Sequence, residues 1–152
     1  MNIGVIADTH GLLRPRAAEA LAGSDLIIHA GDIGQDAVLD RLEHIAPVIA
    51  IRGNIDTSGR AADLPDTRVL DFAGHQLFLL HDVKTLDPCA AAGCRIIIAG
   101  HSHKPRNDVL DGVLYFNPGS AGRRRFRLPI TVGRLTLLPG TAKGTIIPLD
   151  LT

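Results

Sequence analysis

Short apolar runs, each halted by glycine or by a polar side chain able to bind a metal, constrain this chain more than any other feature. Ile3-Gly4-Val5-Ile6-Ala7 stops at Asp8-Thr9-His10, and Leu26-Ile27-Ile28-His29-Ala30 stops at Gly31-Asp32. Val48-Ile49-Ala50-Ile51-Arg52 stops at Gly53-Asn54, Leu77-Phe78-Leu79-Leu80 at His81, and Ile96-Ile97-Ile98-Ala99 at Gly100-His101-Ser102-His103. Runs this short, rich in β-branched residues and leucine, read as buried strands. Helical patterns separate the first three. Pro15 stands at a first helical position before Arg16 to Ala22, with Gly23 as the stop, and Asp36 to Ile45 places Val38, Leu39, Leu42 and Ile45 on one face. A β-α-β-α-β succession predicts a parallel sheet with crossover helices. In such sheets the functional crevice lies outside the carboxyl ends of the strands. Five strand ends would therefore deliver Asp8, His10, Asp32, Asn54, His81, His101 and His103 to one place.

The pattern then turns to β structure. Thr57 to Asp66 is polar, with Gly59 and Pro65, and reads as a loop. Thr67–Phe72 and Gln76–Leu80 flank Ala73-Gly74-His75 as a hairpin, with His75 a turn residue. Pro88 to Ala92 supports at most a short helix, and Val113–Phe116, Ile130–Leu138 and Thr145–Leu149 read as strands, with Pro139-Gly140 turning between the last two. At 152 residues and 45% hydrophobic content, one domain over residues 1–152 can hold a real core. Sixteen Lys and Arg against sixteen Asp and Glu give no global pull toward nucleic acid or anionic membrane. Aromatic content of 3% leaves few stacking platforms, which disfavours a nucleic-acid substrate. The start lacks a signal-peptide pattern, and no run reaches the ~18 apolar residues of a membrane span; a cytoplasmic protein without a membrane partner is expected. Cys89 and Cys94 read as small buried or half-buried thiols, neither a zinc site nor a disulfide.

With these residues in hand, the chain resembles the calcineurin-like metallophosphoesterases. Asp8-x-His10, Gly31-Asp32, Gly53-Asn54-x-Asp56, His81 and Gly100-His101-Ser102-His103 match that family's five blocks in order. The small size and Asn117-Pro118-Gly119-Ser120 resemble its short bacterial and archaeal phosphodiesterase branch. The resemblance implies an αββα sandwich of two mixed β-sheets flanked by helices, carrying a binuclear metal centre. It implies that Asp8, His10, Asp32 and His103 hold one ion, and that Asp32, Asn54, His81 and His101 hold the other, with Asp32 shared. Mixed nitrogen and oxygen ligands suit manganese first, then iron, zinc or nickel, and fit magnesium or calcium poorly. The implied activity is hydrolysis of a small phosphodiester by a hydroxide shared between the ions, with Asp32, Asn54 and His101 closest to the chemistry. A phosphomonoesterase of the same fold is the first alternative, and a non-catalytic protein-interaction scaffold is a distant one.

Two departures stand out. Many members carry histidine directly after the third-block asparagine; here Ile55 stands there and can neither bind phosphate nor give a proton. The expectation is a preference for leaving groups that need little protonation. The branch's fourth-block His-Gly-His is His81-Asp82-Val83 here, so Asp82 adds an acid that can orient an imidazole. Other residues have plainer readings: His29 as a packed, hydrogen-bonded core histidine, His44 as a helix-end residue, and Asp56 as the acid that fixes the Gly53-Asn54 loop through backbone amides. Arg123-Arg124-Arg125 with Arg127 is either a solvated edge or a set of forks reaching the substrate's phosphate or a neighbouring copy in a homo-oligomer.

Overall fold

Successive residues of a strand face opposite ways, and β1 (Asn2–Ile6) is apolar on both faces, so both must be covered. Ile3 and Val5 point into a cluster with Leu77, Leu79, Ile96, Ile98 and Phe116, which lies between two sheets. Ile6 points the other way, into a cluster with Ala17, Leu21, Val38, Leu39 and Leu42 of the first two helices. The computed structural model describes residues 1–151. After β1 come α1 (Pro15–Leu21), β2 (Leu26–His29), α2 (Asp36–Glu43), β3 (Val48–Ala50) and α3 (Gly59–Ala62). Then follow β4 (Thr67–Phe72), β5 (His75–Leu80), β6 (Ile96–Ile98), β7 (Arg106–Leu110), β8 (Val113–Asn117), β9 (Thr131–Leu138) and β10 (Thr141–Pro148).

The first sheet has the order β10-β9-β1-β2-β3. Its β1, β2 and β3 are parallel, as the two crossovers require, and β9 joins β1 antiparallel. The second sheet is β4-β5-β6-β8-β7, with β5, β6 and β8 parallel and antiparallel strands at both edges. Both sheets are mixed, and the layered α/β sandwich is the expected architecture. Helices α1 and α2 cover the outer face of the first sheet. On the second sheet the outward set Phe78, Leu80, Ile97 and Ala99 is covered by Val83, Leu86, Ala91 and Cys94, in a 3₁₀ turn (Val83–Thr85) and the turns after it. Each fully buried leucine or isoleucine in these layers contributes about 1.5–3 kcal/mol.

Several local expectations shift. Within the Thr57–Asp66 loop one turn of helix forms, because Asp36 Oδ1 accepts the Arg60 N–H (2.9 Å) and the Arg60 guanidinium reaches Asp40 and Glu43. Strand β10 begins at Thr141, in full register with β9, so the hairpin pairing extends it past Gly144. Strand β7 was not expected from its exposed, polar residues. It pairs with β8 across Asp111-Gly112, whose positive φ angles (52° and 77°) fit the tight hairpin turn that Asp-Gly favours. His75 is the first residue of β5 rather than a turn residue, and its Nε2 meets the Leu138 carbonyl at 2.7 Å. Both cysteines are free, Cys94 buried but Cys89 exposed, since it rides on a surface turn. No helix among the described residues is long and apolar enough to cross a membrane.

Candidate metal centre

The loops after β1, β2, β3, β5 and β6 meet at one edge of the sandwich, and backbone hydrogen bonds lace them together. Asp8 N–H donates to Gly31 O (3.0 Å), His10 N–H to Asp32 O (3.0 Å) and Gly100 N–H to His81 O (2.9 Å). The two sheets are tied across the site by His101 N–H, which donates to Asp8 Oδ2 (3.0 Å). Asp8, His10, Asp32, His101 and His103 all adopt positive φ, between 47° and 71°. Such a conformation costs an L-residue about 1–2 kcal/mol and collects where function over-determines the backbone. Of the other non-glycine residues in this state, Ala73 and Asp111 belong to hairpin turns; Phe126 lies in a loop described below.

The side chains form two groups. Ligand atoms of Asp8, His10 and His103 lie within 4.8 Å of one another, and those of Asp32, His81 and His101 do the same. Asp32 stands between the groups: its Oδ2 is 3.2 Å from His81 Nε2 and 3.5 Å from His10 Nε2. Its Oδ1 is taken by the Ile55 N–H (3.1 Å). His81 Nδ1 donates to the Ala30 carbonyl (2.8 Å), which fixes the tautomer and leaves the Nε2 lone pair facing the cluster. Gly31 is required beside it, because a Cβ there would stand 2.6 Å from His81 Nδ1. His101 turns Nδ1 toward His81 Nε2 (3.3 Å) and Nε2 toward Asp82 Oδ2 (3.7 Å). Asn54 is exposed and lines the cleft shared with Asp56, His81, Asp82 and His101.

The electrostatics of these groups call for a cation. Burial drives the Asp8 carboxyl up to about 7, against the pull of His81. Burial also lowers His10, and lowers His103 to about 4 with help from the Arg125 charge. At Asp32 burial opposes ionisation, but His81, the Ile55 N–H and His10 outweigh it and lower the carboxyl. Burial likewise opposes the charged form of His81, yet Asp32, the Ala30 carbonyl and Asp8 raise it. Among the described residues, the buried side-chain atoms lacking any hydrogen-bond partner are Asp8 Oδ1, His10 Nε2 and His103 Nδ1. A buried polar atom left unpaired costs about 1–3 kcal/mol. The unpaired Asp8 Oδ1 and His10 Nε2, with His103 Nε2 3.7 Å from that same carboxylate oxygen, fit a divalent transition-metal ion.

Around this centre sit residues that hold it. His29 is fully buried: Nδ1 accepts the Gly31 N–H (3.2 Å), so Nε2 carries the proton and donates to Thr9 Oγ1 (2.9 Å), which donates in turn to Ile33 O (2.9 Å). Asp56 accepts N–H bonds from Ile33, Gly34 and Gly53 (2.8–3.2 Å), binding the β2 and β3 loops together. Asn117 donates through Nδ2 to Gly100 O (2.9 Å) and Ser102 Oγ (3.2 Å), bracing the turn between the last two histidines. From the sequence Asn117 reads only as a rim residue; its position at the end of a strand parallel to β6 is what brings it against this turn. His44 caps α2 through Nδ1 and the Asp40 carbonyl, away from the site.

A layered α/β protein with a candidate metal centre at its strand ends is thus defined by fold and side chains. Comparison with known proteins gives the family: residues 1–139 match the calcineurin-like phosphoesterase superfamily domain, and the chain belongs to that family. It is 33% identical over 134 residues to a probable metallophosphoesterase of Methanocaldococcus jannaschii, covering 79% of this chain and 68% of that one. It is 32% identical over 149 residues to the probable metallophosphoesterase YsnB of Bacillus subtilis, covering 90% and 85%. An archaeal phosphodiesterase of solved structure superposes with a TM-score of 0.80 at 24% identity, over 97% of this chain and 100% of that one. Vps29 of Entamoeba histolytica, solved with zinc, superposes at 0.74 with 21% identity, over 99% and 100%. These two likenesses show the fold. The family relationship makes the chain a metal-dependent phosphoesterase type of hydrolase.

Proposed function

We propose that this chain is a two-metal phosphodiesterase acting on small phosphodiesters. The observation that carries the reading is the place of Asp32, whose Oδ2 faces His10 on one side and His81 on the other, between two ligand groups. Asp8, His10 and His103 would hold one divalent ion, and Asp32, His81 and His101 a second, with Asp32 reaching both and Asn54 adding a neutral oxygen from the cleft wall. Manganese suits this donor set, with iron, zinc or nickel as substitutes. When bound, the ion pair supplies Lewis acidity and brings the pKa of a shared water toward neutrality.

The protein's own part is orientation and charge. His81 is held in one tautomer by Ala30, and His101 turns Nδ1 toward His81 Nε2 with Asp82 Oδ2 3.7 Å from its other nitrogen, close enough to steady the ring when a metal is bound. Asp8 and Asp32 together leave net positive charge on a filled site, which suits an anionic diester. Ile55, exposed beside Asp32, offers the departing alkoxide no proton. The diester is favoured over the monoester because Ile55 stands where many family members carry a histidine, so no further imidazolium is there to meet a monoester's second negative charge. The archaeal phosphodiesterase supports the same choice by analogy of fold. The test is metal-stripped protein reloaded with manganese, zinc, iron or magnesium and assayed on bis(p-nitrophenyl) phosphate and p-nitrophenyl phosphate side by side. Manganese-dependent turnover with the diester ahead supports the reading. A faster monoester reassigns the chain as a phosphomonoesterase, and no turnover with any metal leaves the scaffold role.

A further inference from the structure

Between Gly122 and Leu128 the chain leaves the sandwich in an arginine-rich excursion that the metal centre does not use. Its base is fastened to the loop that carries Asp8. Ala121 N–H donates to Ala7 O (3.1 Å), Ser120 Oγ–H to Asp8 O (3.2 Å), and the Arg14 guanidinium to Gly122 O (3.2 and 3.3 Å). Gly122 lies so close that a Cβ would stand 2.5 Å from the carbonyl oxygens of Asp8 and Thr9. The returning strand is pinned at the same point by Thr131 N–H to Ser120 O (3.0 Å). Both ends of the excursion are thus fixed beside the candidate metal ligands.

Two side chains of the loop have no structural task that accounts for them. Arg125 lines the same cleft as Ser102, the residue between His101 and His103. Phe126 is 88% exposed, the one strongly exposed aromatic ring among the described residues, and its backbone is held at φ 55°, where a bulky side chain is an outlier. A hydrogen bond from Leu128 N–H to Arg125 O (3.2 Å) closes the turn around it. Arg125, Phe126, Arg127 and Leu128 line one side of a 930 Å³ cleft; Ser102 and Lys104 line the other. Ser102 lies between His101 and His103, so this cleft adjoins the metal centre. A phenyl ring framed by three cationic side chains matches a ligand that is both anionic and planar.

We propose that this loop is a substrate subsite, in which Arg125 takes an anionic phosphoryl oxygen and Phe126 stacks on a planar arm of the diester, a single nucleobase or an aryl group. The proposal rests on the phosphodiesterase reading above and narrows its substrate class. One stacking platform suits one base and not a polymer, in keeping with the low aromatic content.

The experiment uses manganese-loaded protein turning over bis(p-nitrophenyl) phosphate. Two competitive inhibitors are compared: thymidine 5′-(methyl phosphate) and its counterpart lacking the base. Wild type should bind the base-bearing compound about tenfold more tightly, the lower range of base–aromatic stacking. Phe126→Ala should bring that ratio to near one, and Phe126→Tyr should restore it. Arg125→Ala should weaken both inhibitors by a similar factor and leave the ratio intact. A wild-type ratio near one, or a ratio that survives in Phe126→Ala, overturns the subsite while leaving the phosphodiesterase reading standing. Absence of turnover by wild type overturns both. Sedimentation at matched concentrations closes the remaining route: a mass change in Phe126→Ala with an unchanged ratio assigns the ring to self-association and overturns the subsite.

Discussion

Asp56 offers the most quantitative prediction about how the centre is built. Its carboxylate is buried and accepts from Ile33 N–H (3.0 and 3.2 Å), Gly34 N–H (3.0 Å) and Gly53 N–H (2.8 Å). Asp56→Ala strands three backbone donors from two loops, one bearing Asp32 and the other Asn54. Each stranded donor costs about 1–3 kcal/mol. Gly34 is only partly buried and water can serve it, so the total belongs near the lower end, about 3–5 kcal/mol. For a chain of this size 1 kcal/mol moves the melting temperature by about 2–4 °C, so the variant should melt roughly 6–20 °C below wild type. Asp56→Asn keeps one acceptor oxygen and should lose about half as much. The assay is calorimetry on metal-free protein, which separates this effect from stabilisation by bound ions. A loss under 2 °C for Asp56→Ala would refute the idea that one carboxylate fastens the two loops.

Asp32→Asn, altering the group common to both ligand sets, should abolish turnover with every metal; near-normal rates would show that Asp32 is not shared. Asp82→Ala should weaken metal binding about tenfold through the released His101 ring, read by calorimetric titration with manganese; unchanged affinity would leave Asp82 without that role. Burial holds His29 at about 3 in the folded state against 6.5 when free. The unfolded chain therefore binds this proton first. Metal-free stability should fall as pH drops below about 6.5, by up to ~1.4 kcal/mol per unit from this residue. His29→Leu should flatten that part of the slope in urea titrations at pH 7 and pH 5, and an identical slope would contradict it. With no proton donor at Ile55, rates across a diester series should fall steeply as the leaving group becomes more basic. Full activity toward poor alkoxide leavers would oppose this.

Much of this architecture is legible in the residues because the strands are short and apolar and end where polar chemistry begins. The β1–α1–β2–α2–β3 succession follows from periodicity. The convergence of Asp8, Asp32, His81 and His101 follows from where the strands end, and the plain structural readings of His29 and Asp56 follow from an imidazole inside an apolar strand and an acid in a turn. Strand β7 was missed because Arg106 to Leu110 is an edge strand whose exposed side chains carry no alternation, and the Asp111-Gly112 turn was the available cue. Strand β10 reaches back to Thr141, before the Thr145 start its sequence suggests, because pairing with β9 overrides the low strand preference of Ala142 and Gly144. The role of Arg125 was open in the sequence because a charge run looks alike on any surface. Only the fastening of Gly122 against Asp8 brings that loop to the site, a contact between residues more than a hundred positions apart.

The central claim is that two cations share Asp32. Anomalous diffraction from manganese-loaded crystals tests it most directly. The account predicts two peaks about 3.5–4 Å apart, with Asp32 Oδ2 between them, one peak beside Asp8, His10 and His103 and the other beside His81 and His101. A single peak, or peaks that leave Asp32 without a metal contact, would contradict it.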